Sequence, residues 1–177
     1  MSKLKLATVW LDGCSGCHMS LLDLDERLIE LAELVDIVYS PIVDAKEFPD
    51  EVDITLVEGA VASTDDTAKI KKVRAHTKTL VSMGDCAVTA NVPAMRNPIG
   101  PQAILNRAYI ENATLQPQIP CVVVPKLLKT ARPVHEFVKV DVYLPGCPPS
   151  ADTFYTALTA LITGGPVDIP ALTRFGA

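Results

Sequence analysis

Four cysteines in this chain stand beside or just behind a glycine: Gly13-Cys14 and Gly16-Cys17, Gly84-Asp85-Cys86, and Gly146-Cys147. Thiolates are soft ligands, and four of them converging is the donor set of a 4Fe-4S cluster or of a structural zinc. Two residues separate Cys14 from Cys17, which lets both sulfurs turn toward one centre. A neighbouring glycine removes a side chain and admits turns with positive φ. Backbone N–H groups freed at such turns can point at ligand sulfurs. Pro148 and Pro149, directly after Cys147, stiffen the last of these loops and delay the next helix.

Other chemistries use the same residue types. A Cys-x-x-Cys after the first strand of an α/β protein is also the thioredoxin-type redox motif, in which a helix N-terminus lowers the thiol pKa. That reading leaves the recurrence of Cys86 and Cys147 unexplained. Zinc sites more often pair two short Cys-x-x-Cys knuckles than draw single cysteines from distant strands. Glu58 closes a largely apolar run and precedes Gly59. It reads as a proton-handling or hydrogen-bonding acid beside the metal, against the alternative of a solvated carboxylate at a strand end. His18, next to Cys17, reads equally as a hydrogen-bonding neighbour of the site or as a helix-surface residue. Cys121, inside Ile119-Pro120-Cys121-Val122-Val123-Val124, reads as a small buried hydrophobe. His76 and His135 read as solvated.

The elements that must position these residues follow from periodicity. Residues 4–11 are apolar and β-rich up to Asp12-Gly13, a strand buried on both faces. Leu21, Leu24, Leu28 and Leu31 recur at helical spacing, with Asp23, Glu26, Arg27 and Glu30 opposite, and predict one amphipathic helix of three to four turns. Strands are expected over 35–39, 52–57, 79–83 and 138–144. Residues 65–76 read as a helix with Ser63, Thr64 or Asp65 as N-cap. Five prolines between Cys86 and Pro120 predict mostly loop there, with a short helix over 102–109. A closing helix over 150–162 ends at Gly164-Gly165, and the tail after Pro166 is expected to be extended. Strand and helix alternation argues for an α/β, flavodoxin-like doubly wound parallel sheet. Residues 1–177 are expected to form a single iron-sulfur domain with an ordered core over about 3–165. In such sheets ligands bind beyond the carboxyl ends of the strands, which is where Cys14, Glu58, Cys86 and Cys147 would gather.

Composition removes other classes. The net charge is −5, with Lys and Arg scattered, so nucleic acid has no electrostatic support as a partner. Five cysteines is an odd number, a poor disulfide framework. The apolar run at Ile119 is about a third of the roughly 20 residues a membrane-spanning helix needs. The first residues carry no apolar signal segment or twin arginine, so a cytoplasmic location is expected. Hydrophobic residues make up 49% and mean hydropathy is +0.26, which points to apolar surface covered by a partner. No Gly-x-Gly-x-x-Gly fingerprint occurs, so any NAD belongs to another chain.

Cys14-Ser15-Gly16-Cys17-His18, Glu58-Gly59, Gly84-Asp85-Cys86-Ala87 and Gly146-Cys147-Pro148-Pro149, in this order and on this fold, resemble the small subunit of NiFe hydrogenases over nearly the whole chain. The resemblance implies that Cys14, Cys17, Cys86 and Cys147 hold a 4Fe-4S cluster passing electrons to or from a NiFe centre in a large subunit. It matches Glu58 to an acid between cluster and large subunit. The related subunit of respiratory complex I shares the later motifs but has adjacent cysteines in place of Cys14 and Cys17. It remains the alternative, an electron-transfer subunit without hydrogenase activity, ahead of a thiol oxidoreductase. No cysteine follows Cys147, so one cluster is expected. With no leader evident, the chain looks like the small subunit of the soluble, bidirectional, NAD-linked type. There the resemblance implies partners in the NiFe large subunit and in diaphorase subunits that carry flavin, further iron-sulfur clusters and the NAD site. A flavodoxin-like fold can hold FMN, but no clear phosphate loop occurs and FMN is left unassigned.

Overall fold

The computed structural model describes residues 3–173 and is built on a parallel sheet. β1 (Leu4–Trp10) pairs on one side with β2 (Val35–Tyr39) and on the other with β3 (Val52–Glu58). With β4 (Val61–Ser63) lying outside it, the sheet continues through β5 (Thr77–Met83), pairing β3. β6 (Leu127–Arg132) pairs antiparallel with β4, and β7 (Val142–Leu144) is the last parallel strand, against β5. The order β2-β1-β3-β5-β7 is the doubly wound order expected. The winding reverses between β1 and β3, the switch point where such sheets leave a crevice.

Alternating side chains send β1 to two cores. Leu6 joins Leu21, Leu24, Leu31, Leu56, Phe154 and Leu158 on one face, and Ala7 and Val9 join Val57, Ile70, Val73 and Leu80 on the other. The first face is covered by α1 (Gly16–Leu22), α2 (Arg27–Leu34) and, later in the chain, a helix over Ala151–Thr163; the second by α3 (Thr64–Ala75).

The single helix expected through Leu21 and Leu31 is two. Asp25 takes φ 50° between α1 and α2, a left-handed turn that short carboxylate residues tolerate, yet Leu24 stays buried at 1% exposure. The leucine period therefore marks a buried face and not a continuous helix. The region from Cys86 to Pro120 holds the short helix expected over 102–109 but is more helical than the mostly loop expected. It contains α4 (Gly84–Thr89), α5 (Asn91–Ala94) and α6 (Pro101–Asn106), the last running on into a wider π turn over Arg107–Glu111. Pro101 sits in the first turn of α6, where a missing N–H costs nothing. The last parallel strand is shorter than its apolar pattern, and β4 and β6 went unforeseen. α7 (Ala151–Thr163) begins at Ser150, whose hydroxyl takes the Thr153 N–H, and ends at Gly164 in the left-handed region. Beyond Pro166 the tail is not simply extended, because Ile169–Leu172 forms a short α8; the rest of the expected tail, residues 174–177, lies outside the described residues.

Candidate metal centre

Three strand ends carry the candidate ligands to one edge. Cys14 and Cys17 follow β1, with Ser15 in a left-handed conformation (φ 68°) that turns the chain into α1. Cys86 lies in the first turn of α4, directly after β5, and Cys147 follows β7. The four thiols are near enough for their charges to act on one another. Cys17 is pushed well above the ordinary thiol range by burial, then by the charges of Glu58, Cys86, Cys14 and Cys147. Cys86 is pushed up by burial, against the lowering effect of an N–H from Val92, with further upward pressure from Cys14, Cys147 and Glu58. Thiols crowded in this way resist ionising together unless a cation compensates them. That is the electrostatic setting of a thiolate metal site.

The ligand loops are clipped together. Asp85 takes the Gly146 N–H on Oδ1 at 2.7 Å and gives its own N–H to the Gly146 carbonyl at 2.8 Å. Ser20 Oγ donates to the Pro149 carbonyl at 2.6 Å, tying α1 to the last loop, whose Cys147–Pro148 bond is cis. Asn91 Nδ2 approaches Cys147 Sγ at 3.7 Å. Among the described residues no three His, Cys, Asp or Glu side chains close on a single point as ligands of one metal ion do. In a 4Fe-4S cluster each thiolate takes its own iron, so its ligands stand further apart.

Glu58 is no solvated strand end. It is 1% exposed and accepts the backbone N–H groups of Cys17 (3.4 Å) and His18 (3.0 Å) in the first turn of α1. His18 Nδ1 meets the same carboxylate, and His18 Nε2 lies 3.0 Å from Thr8 Oγ. Thr8, at 3% exposure, was not singled out by its sequence, although a hydroxyl interrupting an apolar strand was the available signal. Asn91 carried no signal. Cys121 corrects its expectation: it is exposed, in an irregular segment beside Pro120, Val124 and Leu127, because no strand forms there to bury the apolar run.

Residues 14–161, most of the chain and every candidate ligand, match the model of the NADH ubiquinone oxidoreductase 20 kDa subunit family. The chain belongs to this family. Among relatives, it is 40% identical over 174 residues to the delta subunit of the NAD-reducing hydrogenase HoxS of Cupriavidus necator, covering 96% of this chain and 83% of that one. It is 36% identical to a subunit of the vhu hydrogenase of Methanocaldococcus jannaschii, covering 94% of this chain but only 58% of that relative. The crystal structure of an NAD+-reducing NiFe hydrogenase in its hydrogen-reduced state contains a chain that superposes with a TM-score of 0.93 at 38% identity, covering 98% of this chain and 99% of that one. A NiFeSe hydrogenase chain from Desulfomicrobium baculatum, at 20% identity and a TM-score of 0.62, shares the fold. The family member described here is thus homologous to a subunit of an NAD-reducing hydrogenase, an oxidoreductase complex.

Proposed function

We propose that this family member is the electron-transfer small subunit of an NAD-linked NiFe hydrogenase, holding one 4Fe-4S cluster on Cys14, Cys17, Cys86 and Cys147. The observation that carries the reading is the gathering of four thiols from three strand ends, with Cys17 and Cys86 pushed upward by burial and by their neighbours, in a chain aligned almost end to end with one from an NAD+-reducing NiFe hydrogenase. Such a cluster, once bound, takes up and gives back one electron at a time. The chain's own residues hold and tune it. The Val92 N–H beside Cys86 lowers its thiol against the upward push of burial, favouring the thiolate. The clips through Asp85, Gly146, Ser20 and Pro149 fix the loops before a metal arrives, which limits the ordering that binding would otherwise require.

The NiFe site and the NAD site are assigned to partner chains: a large subunit on one side, and diaphorase subunits with flavin and further clusters on the other. Exposed apolar side chains support such partners. Val92, Met95, Ile99, Leu115, Val122 and Val123 are each more than half exposed, apolar surface that a partner chain would cover. Among the described residues no helix is long and apolar enough to cross a membrane.

Purification through a tag on this chain tests the reading. A nickel-containing large subunit should accompany it, iron and acid-labile sulfide should exceed what the nickel site and the diaphorase subunits account for by one 4Fe-4S cluster per copy of this subunit, and the complex should reduce NAD with hydrogen. A nickel-free complex that reduces quinone would favour the complex I-like alternative. An iron-free protein with thiol-exchange activity would favour the dithiol reading.

A further inference from the structure

Three buried or half-buried side chains form a connected line beneath the first ligand pair. Thr8 on β1 meets His18 Nε2; the other ring nitrogen, Nδ1, reaches Glu58 Oε2 at the end of β3. Oε2 already takes the His18 backbone N–H, and Oε1 the Cys17 N–H. A carboxylate serves these contacts as acceptor, so Nδ1–H donates to Glu58, while Nε2 shares its hydrogen bond with the Thr8 hydroxyl, a group able to donate or accept. Among the described residues His18 is the sole side chain bonded to Glu58. Glu58 is also seated closely, since a Cβ added at Gly13 would stand 3.6 Å from its Cγ and Oε1.

We propose that His18 is a positioning residue for the metal centre: anchored by Thr8, its ring holds the Glu58 carboxylate on the Cys17 and His18 N–H groups and so fixes the electrostatic field at the four thiols. This rests on the cluster reading above. A negative group beside a redox centre opposes the arrival of an electron, by an amount that depends on its distance and surroundings. A carboxylate released from the ring would present a different charge distribution to the cluster. A histidine that merely capped α1 would affect folding and cluster retention and leave the potential alone.

The test is an EPR-monitored redox titration at one pH on the purified complex, with iron and sulfide counted for each sample. Glu58→Gln should raise the midpoint, because a charge that opposes reduction is gone. His18→Leu should shift the midpoint with iron retained. His18→Asn, whose amide N–H can stand in for Nδ1–H, should bring it back toward the wild-type value. In the Glu58→Gln background, His18→Leu should add no further shift, since the ring acts through the carboxylate. A His18→Leu midpoint equal to wild type, or a shift of the same size with and without the Glu58 carboxylate, would overturn the proposal. Should His18→Leu lose iron, Thr8→Val reads the same device from β1 without altering α1, and an unchanged midpoint there is equally fatal. Wild-type complex without iron in this subunit defeats the cluster reading itself, a result distinct from either.

Discussion

Gly84 stands against Cys17: a Cβ built on Gly84 would collide with the Cys17 sulfur, and Gly84 also holds φ at +78°. The glycine thus makes room for a ligand contributed by a different strand end. Gly84→Ala should abolish most cluster incorporation, measured as iron and sulfide per chain. Gly100 is the matched control, because its φ is +86° with nothing within 4 Å of an added Cβ. Both substitutions force a side chain onto positive-φ backbone, at Gly100 with ψ 155° a region that glycine alone readily adopts, at a cost of about 1–3 kcal/mol, so Gly100→Ala should cost stability and keep its iron. Equal iron loss from both would mean that backbone strain, and not contact with Cys17, is what matters at position 84.

Cysteine substitution separates ligand from bystander. Cys86 is buried, within reach of the charges of Cys14, Cys147 and Glu58, whereas Cys121 is exposed beside Pro120 and Val124. Cys86→Ser should lose cluster occupancy, and Cys121→Ser should retain it, read from the visible absorption and iron content of each purified complex. Full iron in Cys86→Ser would remove it from the ligand set.

The sequence carried the parallel sheet clearly because each buried strand is a short apolar run closed by Gly, Pro or an acid, and Glu58-Gly59 and Gly84 mark strand ends to within a residue. It carried the gathering of the cysteines for the same reason, since strand ends of a doubly wound sheet share one edge. Asp25 and Pro101 misled in opposite directions. A leucine period continues across the Asp25 turn because turns can also present a leucine to the core, and proline at a helix start looks like a helix breaker. β4 and β6 were illegible for a different reason. Their pairing is fixed by side chains distant in sequence: Arg96 donates to the Ala62 and Leu128 carbonyls at 3.0 Å each, and Asn97 exchanges two hydrogen bonds with Ala131. The partnership of Thr8, His18 and Glu58 was likewise hidden, because it needs two strands and a helix in register.

Ser63 is the N-cap of α3, and the contacts are reciprocal. Its hydroxyl accepts the Asp66 N–H at 3.1 Å, and Asp66 Oδ2 accepts the Ser63 N–H at 2.9 Å. α3 has otherwise few buried residues, Ile70 and Val73, so its start depends on this box. Ser63→Ala should cost about 1 kcal/mol, seen as a lower denaturant midpoint, while Ser63→Asp should recover part of it. No change in either variant would show that packing alone sets the start of α3.

Asp141 links the entry to β7 with β5 and α3, and gives the fold a pH dependence. Burial pushes its carboxyl upward, but the Leu80 N–H (2.9 Å), Arg74 Nη1 (2.6 Å) and Lys139 outweigh it, so the net displacement is below the usual carboxylate range. A carboxyl with a lower pKa folded than unfolded contributes stability that is complete above the unfolded value, about 3.9, and is lost as pH falls through the folded value. Arg74 Nη1 and Asp141 are each largely shielded, whereas Lys139 is 83% exposed and adds little. Asp141→Asn should therefore destabilise the chain near neutral pH by about 1.5–3 kcal/mol, the scale of hydrogen bonds to charged groups. The difference from wild type should shrink as the pH is lowered from about 5 toward 2, the span over which the charge is lost. Denaturant unfolding across that range decides it: a gap that stays constant with pH would show that Asp141 acts through shape and hydrogen bonding, not through its charge.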